Sequence, residues 1–156
     1  AKFLDQVKIC KGIEKFCKFY KKKYFLIMIT NQPDFSRKKN TKKNINEINN
    51  YLKKRFKLDY LYTCFCADNK CKNRKPNPGM FFEASEKFLL RLDQTFYIGD
   101  DPRDCEAAKN ACCGSILIGD YFDRINCFPY FSSLKLTDLV PTIINKFLEN
   151  ENLFNS

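Results

Sequence analysis

The sequence has no histidine among its 156 residues, which removes the imidazole from any acid–base or metal-ligating role. No stretch is long enough and apolar enough to span a bilayer, and the N-terminus carries no signal-peptide pattern, so neither a membrane span nor secretion is expected. No internal repeat or low-complexity linker marks a second domain, and at 44% hydrophobic content residues 1–156 read as one globular domain with a real core. What is abundant is cysteine: nine residues, an odd number, with Cys10, Cys17, Cys105 and Cys112 inside apolar patterns. That usage fits a reducing, cytoplasmic setting better than a disulfide framework. Lys+Arg 28 against Asp+Glu 18 gives a net charge of +10, a balance compatible with nucleic acid, an acidic membrane or a phosphorylated substrate. The basic residues run from Lys2 to Lys146 and lie beside many Asn, Ile, Phe and Tyr. A compositional bias explains them better than a nucleic-acid footprint, so a nucleic-acid partner is not expected.

Helices and strands alternate along the chain. Ile9, Ile13, Phe16, Cys17 and Tyr20 recur at helical spacing with lysines on the other face, and Tyr24 to Ile29 is a short apolar run that reads as a buried parallel strand. Ile45, Ile48, Leu52 and Phe56 mark a second helix, and Tyr60 to Thr63 a second strand that runs into a cysteine loop. Phe81, Ala84, Phe88 and Leu89 mark a third helix. Thr95 to Ile98 and Ser115 to Ile118 read as strands flanking a helix that opens at Pro102. A loop from Gly119 through Pro129 and a last helix with Leu139, Ile143 and Phe147 complete the pattern. The fold class expected is α/β, a three-layer αβα sandwich around a parallel sheet, without a large cap domain.

Polar residues gather where strands end. Thr30-Asn31-Gln32 follows the first strand, Arg74-Lys75-Pro76-Asn77-Pro78-Gly79 opens the third helix, and Gly99-Asp100-Asp101-Pro102-Arg103-Asp104 follows the third strand. Carboxylates crowded at the carboxyl edge of a parallel sheet call for a cation, and Mg²⁺ is the ion expected. By itself the acidic turn reads equally well as a capped helix, with Asp101 as the cap and Asp104 facing the dipole. Hydroxyl, amide and ammonium donors in the other two clusters suit phosphoryl oxygens, and the order of all three together points to a phosphate-and-Mg²⁺ site.

With these residues in place, the chain resembles phosphatases of the haloacid dehalogenase superfamily, in the branch of histidinol-phosphatase and heptose bisphosphate phosphatase. The resemblance implies that Thr30 and Asn31 bind the transferred phosphoryl group, that Lys75 neutralises it, and that Asp100 ligates Mg²⁺ with Asp104 supporting that site. Arg74 and Arg37 would reach the rest of the substrate. The family's nucleophile motif, Asp-x-Asp-x-Thr, precedes the first helix in such proteins, yet no Asp-x-Asp occurs here. Since the sequence opens at Ala1 close to a helical pattern, the first strand and its motif are expected upstream. In the cysteine loop, where the branch has a structural zinc site, Cys64, Cys66 and Cys71 match three ligand positions and Asn73 stands at the fourth. Zinc and a metal-free loop of reduced cysteines are both open.

The reading that follows is a phosphatase domain for a small phosphorylated sugar or related metabolite, monomeric by preference. In a complete relative one Asp attacks phosphorus and a second Asp serves as acid and then base; the chain as it stands is expected to be inactive. A degenerate phosphate- and Mg²⁺-binding module is the alternative, and a basic nucleic-acid binder a weaker third.

Overall fold

A computed structural model of the chain describes residues 1–119 and the strand Phe131–Ser133. The loop expected over 120–129 and the helix expected around Leu139, Ile143 and Phe147 lie outside the described residues. The chain forms two compact units, Ala1–Arg74 and Lys75–Ser156. Each carries its own parallel sheet.

In the first unit a 3-10 turn, Leu4–Gln6, precedes helix α1, Ile13–Tyr20, strand β1, Ile27–Asn31, helix α2, Lys42–Phe56, and strand β2, Tyr60–Cys64. Helix α1 starts later than the apolar spacing suggests. Gly12 stands before it at φ 93, a conformation open to glycine and closed to Ile9's continuation of the helix. Strand β1 is also displaced from the expected run. The Tyr24 ring packs on Tyr20 at 5.9 Å, at the end of α1, and the ladder begins only at Ile27, opposite Tyr60. The Asp59 carboxylate accepts from the Leu26 backbone N–H and pairs with Lys21, which ties the approaches to both strands together. Thr41 caps α2 by accepting from the Asn44 N–H at 3.2 Å. Cys17, Tyr20, Ile29, Ile45 and Cys64 are the buried apolar residues of this unit.

The second unit contains helix α3, Gly79–Phe88, strand β3, Phe96–Gly99, helix α4, Pro102–Asn110, and strands β4, Gly114–Ile118, and β5, Phe131–Ser133. The order is β3-β4-β5, all parallel. Strand β5 is too short to announce itself by periodicity, and the sequence reading leaves it unassigned. Helix α4 packs against β3 and β4. Ala107, Ala108 and Ala111, all buried, give it a flat face that lets its backbone approach the sheet. Of the four cysteines expected in apolar patterns, Cys17 and Cys105 are buried, but Cys10 and Cys112 are exposed. Cys10 precedes the shortened α1, and Cys112 turns to φ 57 just past α4, where the chain leaves the helix. No described helix is long and apolar enough to cross a membrane.

Candidate active site

The turn after β3 is built around one carboxylate. Asp104 sits at the third position of α4, and its Oδ2 accepts from the backbone N–H groups of Asp100 at 3.1 Å and Asp101 at 3.2 Å. Those donors lie at the start of a helix, where backbone N–H groups lack partners of their own. Gly99 makes the fold-back possible: a Cβ there would lie 2.3 Å from the Asp104 side chain. Asp104 Oδ1 in turn accepts from the Lys75 ammonium at 2.6 Å. Both side chains are nearly buried, 11% exposed for Lys75 and 8% for Asp104, so the pair is held where water screens it little. The Lys75 ammonium also donates to the Tyr97 hydroxyl at 2.8 Å. Burial, followed by the nearby Asp104 charge, pushes the Tyr97 phenol well above its usual range, so it remains a neutral hydroxyl.

Three neighbouring aspartates thus have three different situations. Asp104 is committed to backbone and lysine. Asp101 caps α4, with Oδ1 accepting from the Arg103 N–H at 2.9 Å and Oδ2 from the Arg103 guanidinium at 2.8 Å. Asp100 is exposed at the strand's end, and no described residue donates to its carboxylate. An unengaged carboxylate at that edge is the kind of hard oxygen donor that Mg²⁺ takes, since the ion usually uses one or two carboxylates and fills its remaining positions with water and phosphate. The turn therefore fits Mg²⁺ through Asp100, while Asp104 is spent on Lys75 and the turn itself. The cap that the sequence offers as one explanation of the turn is thus supplied by Asp101, and it leaves the Asp100 carboxylate without a donor among the described residues.

In the first unit Thr30 and Asn31 are the last two residues of β1, opposite Thr63 and Cys64 of β2. Both are half-buried. The Gln32 amide donates to Thr30 Oγ1 at 3.2 Å, and the Gln32 backbone N–H to the Cys64 carbonyl at 2.7 Å. Arg37 is exposed on the turn that follows. Beyond β2 the Sγ atoms of Cys64, Cys66 and Cys71 all lie within 4.8 Å of one another. That is a span one thiophilic ion could bridge. Burial pushes the Cys64 thiol up to about 12, and the hydrogen bond between Cys66 and Cys71, 2.6 Å from sulfur to sulfur, holds the Cys71 thiol below the usual thiol range. No fourth Cys, His, Asp or Glu joins the group among the described residues. Arg74, 5% exposed, is turned into this loop, donating from Nε to Asn69 Oδ1 at 3.1 Å and from NH1 to the Cys66 carbonyl at 2.9 Å.

The structure therefore brings Lys75, Asp100 and Asp104 together in the second unit, and the three cysteines and Arg74 in the first. Tyr97 is the member that sequence reading passes over, because a tyrosine in an apolar strand looks like core. Its one signal is parity, since it shares a strand face with Gly99, two residues on.

Comparison with known proteins gives the same direction. Residues 4–112 match the family described as polynucleotide kinase 3 phosphatase. A D-glycero-alpha-D-manno-heptose-1,7-bisphosphate 7-phosphatase of Campylobacter jejuni is 28% identical over 155 residues, covering 95% of this chain and 86% of that protein. A D-glycero-beta-D-manno-heptose-1,7-bisphosphate 7-phosphatase of Helicobacter pylori is 35% identical over 95 residues, 56% of this chain and 55% of its own length. Among solved structures, D,D-heptose 1,7-bisphosphate phosphatase from B. bronchiseptica, complexed with magnesium and phosphate, superposes with a TM-score of 0.77 at 19% identity, over 95% of this chain and 88% of that one. A beta-phosphoglucomutase from Clostridium difficile gives 0.69 at 19% identity, over 96% of this chain and 62% of that one. At such identities these structures establish the fold, a haloacid dehalogenase-like α/β architecture with parallel sheets.

Proposed function

Because the chain belongs to the polynucleotide kinase 3 phosphatase family and has the haloacid dehalogenase-like fold, we propose that it is a Mg²⁺-dependent phosphatase domain for the phosphomonoester of a small sugar or related metabolite. The observation that carries this reading is the turn after β3, where a buried carboxylate holds the Lys75 ammonium at 2.6 Å beside the exposed Asp100. When bound, Mg²⁺ supplies charge neutralisation to the phosphoryl group. Asp100 would hold the ion, and Lys75 would meet phosphoryl oxygens as a compact positive charge. In the first unit Thr30 and Asn31 take the family's phosphoryl-binding role. Arg74 and Arg37 are assigned to the rest of the substrate, Arg74 with two donors already given to the cysteine loop. The sugar-phosphate class is favoured by the relatives that match, and the cysteine usage supports a reducing, cytoplasmic setting.

A second reading has its own support. No Asp-x-Asp occurs in the sequence, so these 156 residues contain no family nucleophile and can bind and polarise a phosphate without attacking it. On this reading the chain is a phosphate- and Mg²⁺-binding module.

Two assays test the pair of readings. The first is the thermal shift produced by vanadate, which Lys75→Ala should abolish. A shift that survives the substitution removes Lys75 from the site and with it the central argument. The second is hydrolysis of heptose bisphosphate, histidinol phosphate, p-nitrophenyl phosphate and a 3′-phosphorylated oligonucleotide. The 156-residue chain should turn over none of them. Adding about a dozen N-terminal residues, roughly one strand plus an Asp-x-Asp turn, should raise stability and restore hydrolysis of the sugar phosphate together. Among the described residues β1 pairs only with β2 and β3 only with β4, so each sheet has an open edge for such a strand. Stability gained without hydrolysis favours the binding module.

A further inference from the structure

We propose that Tyr97 is a positioning residue for Lys75, its hydroxyl acting with the Asp104 carboxylate to fix the direction in which the ammonium meets a phosphoryl group. The proposal rests on the phosphate-binding reading of the turn and adds to it a residue to which the sequence assigns no role. A lysine ends in a compact, strongly hydrated charge on a flexible four-carbon stem, and one ion pair leaves that stem free to swing about the contact. Here the ammonium donates both to Asp104 Oδ1 at 2.6 Å and to the Tyr97 hydroxyl at 2.8 Å. The two acceptors are themselves 3.5 Å apart, so they form a narrow fork. A fork defines an axis where a single contact defines only a distance.

Both prongs are rigidly held. Asp104 is fixed by the N–H groups of Asp100 and Asp101. The Tyr97 ring stands edge-on against Phe81 at a centroid distance of 4.9 Å, and Phe81 is buried in α3. The chemistry of the second prong also matters. A carboxylate in its place would give Lys75 two negative partners and cancel its attraction for phosphate. A neutral phenol supplies direction and leaves the charge in place. The ordinary alternative is a buried tyrosine whose hydroxyl takes whatever partner is at hand, and this makes a distinct prediction: the effect of removing the hydroxyl would not depend on Lys75.

The test is a double-mutant cycle read by calorimetric titration of the full chain with inorganic phosphate in the presence of Mg²⁺, using wild type, Tyr97→Phe, Lys75→Met and the double variant. Phenylalanine keeps the ring against Phe81, and methionine keeps most of the lysine stem. Tyr97→Phe should weaken phosphate about fivefold, the worth of one net hydrogen bond, and should have no further effect once Lys75 is methionine. The side-chain ¹H–¹⁵N ammonium signal lost in Lys75→Met should also shift or broaden in Tyr97→Phe. Unchanged phosphate affinity in Tyr97→Phe overturns the proposal alone. An equal loss in both backgrounds assigns Tyr97 a purely structural role and also overturns it. Failure of the wild-type chain to bind phosphate, or full binding by Lys75→Met, overturns the phosphate-site reading and this proposal together.

Discussion

The turn after β3 and the loop after β2 both leave the carboxyl end of a parallel strand, yet they gather opposite chemistry. The first collects oxygen ligands and an ammonium, and its central carboxylate is fixed by two backbone N–H groups and by Lys75. The second collects three thiols and a guanidinium, and its soft ligands hold one another, with Cys71 3.8 Å from Cys64. The difference shows what fixes a ligand set before its ligand arrives. Oxygen acceptors can be anchored by the backbone at a helix start, which leaves one carboxylate over for an ion. Thiols are weak hydrogen-bonding groups, and their geometry is completed chiefly by whatever metal they bind.

The sharpest way to break the comparison is to remove its anchor. Asp104→Ala would strand Lys75 in a nearly buried site and leave two N–H groups unpaired. Deleting one partner of such a pair destabilises by about 3–5 kcal/mol, and urea denaturation should read a loss of that order. A loss below about 1 kcal/mol would reduce the pair to a surface contact. Asp100→Asn probes the carboxylate left over. Because Asp100 supports no described side-chain contact, its loss should leave stability unchanged and weaken Mg²⁺ binding at least about tenfold by calorimetry. Unchanged Mg²⁺ affinity would place the ion elsewhere.

The cysteine loop should give a smaller effect. Structural zinc takes four nitrogen or sulfur ligands as a rule, and three thiols are gathered here. Protein produced in zinc-supplied medium should therefore carry substoichiometric zinc by elemental analysis, and Cys66→Ser should alter stability little. One tightly bound zinc per chain would show that a further group completes the site, the first to test being Asp68, which lies between Cys66 and Cys71 and whose carbonyl accepts from the Cys71 N–H.

How much of this could be read from the sequence differs along the same line. The alternation of strands and helices was legible because buried parallel strands are continuous apolar runs, and Thr30, Lys75 and Asp100 stood out because polar groups interrupt those runs where they end. The division of labour among Asp100, Asp101 and Asp104 was not legible. One helix start uses the same residue type for a cap, an anchor and an exposed carboxylate, and only the backbone path through Gly99 separates them. Tyr97 was hidden for the converse reason, being apolar along its ring and polar only at its tip. The start of α1 was misplaced because Ile9 keeps the helical spacing while Gly12 breaks the backbone.

The smallest effect expected is at Asp101, where the comparison with its neighbour Asp104 is most direct. Asp101 also caps α4 and also pairs with a cation, but its side chain is 41% exposed and that of Arg103 is 55% exposed. Water screens such a pair, so its contribution comes mainly from the cap, about 1 kcal/mol or less. The hydrogen bond from the Arg103 guanidinium, opposed by some burial and reinforced by the Arg103 N–H, lowers the Asp101 pKa from its ordinary 3.8 to about 2. A carboxyl whose folded pKa is depressed adds stability that is present above the unfolded value and is lost as pH falls through the folded one. The gap in urea stability between wild type and Asp101→Ala should therefore be constant from neutral pH down to about 4, and should shrink as pH approaches about 2 toward the part that an uncharged cap acceptor supplies. Asp101→Asn, which keeps a cap acceptor and loses only the charge, should fall between them. A gap that stays the same down to pH 2 would mean that Asp101 acts through the shape of the turn and that its charge contributes nothing.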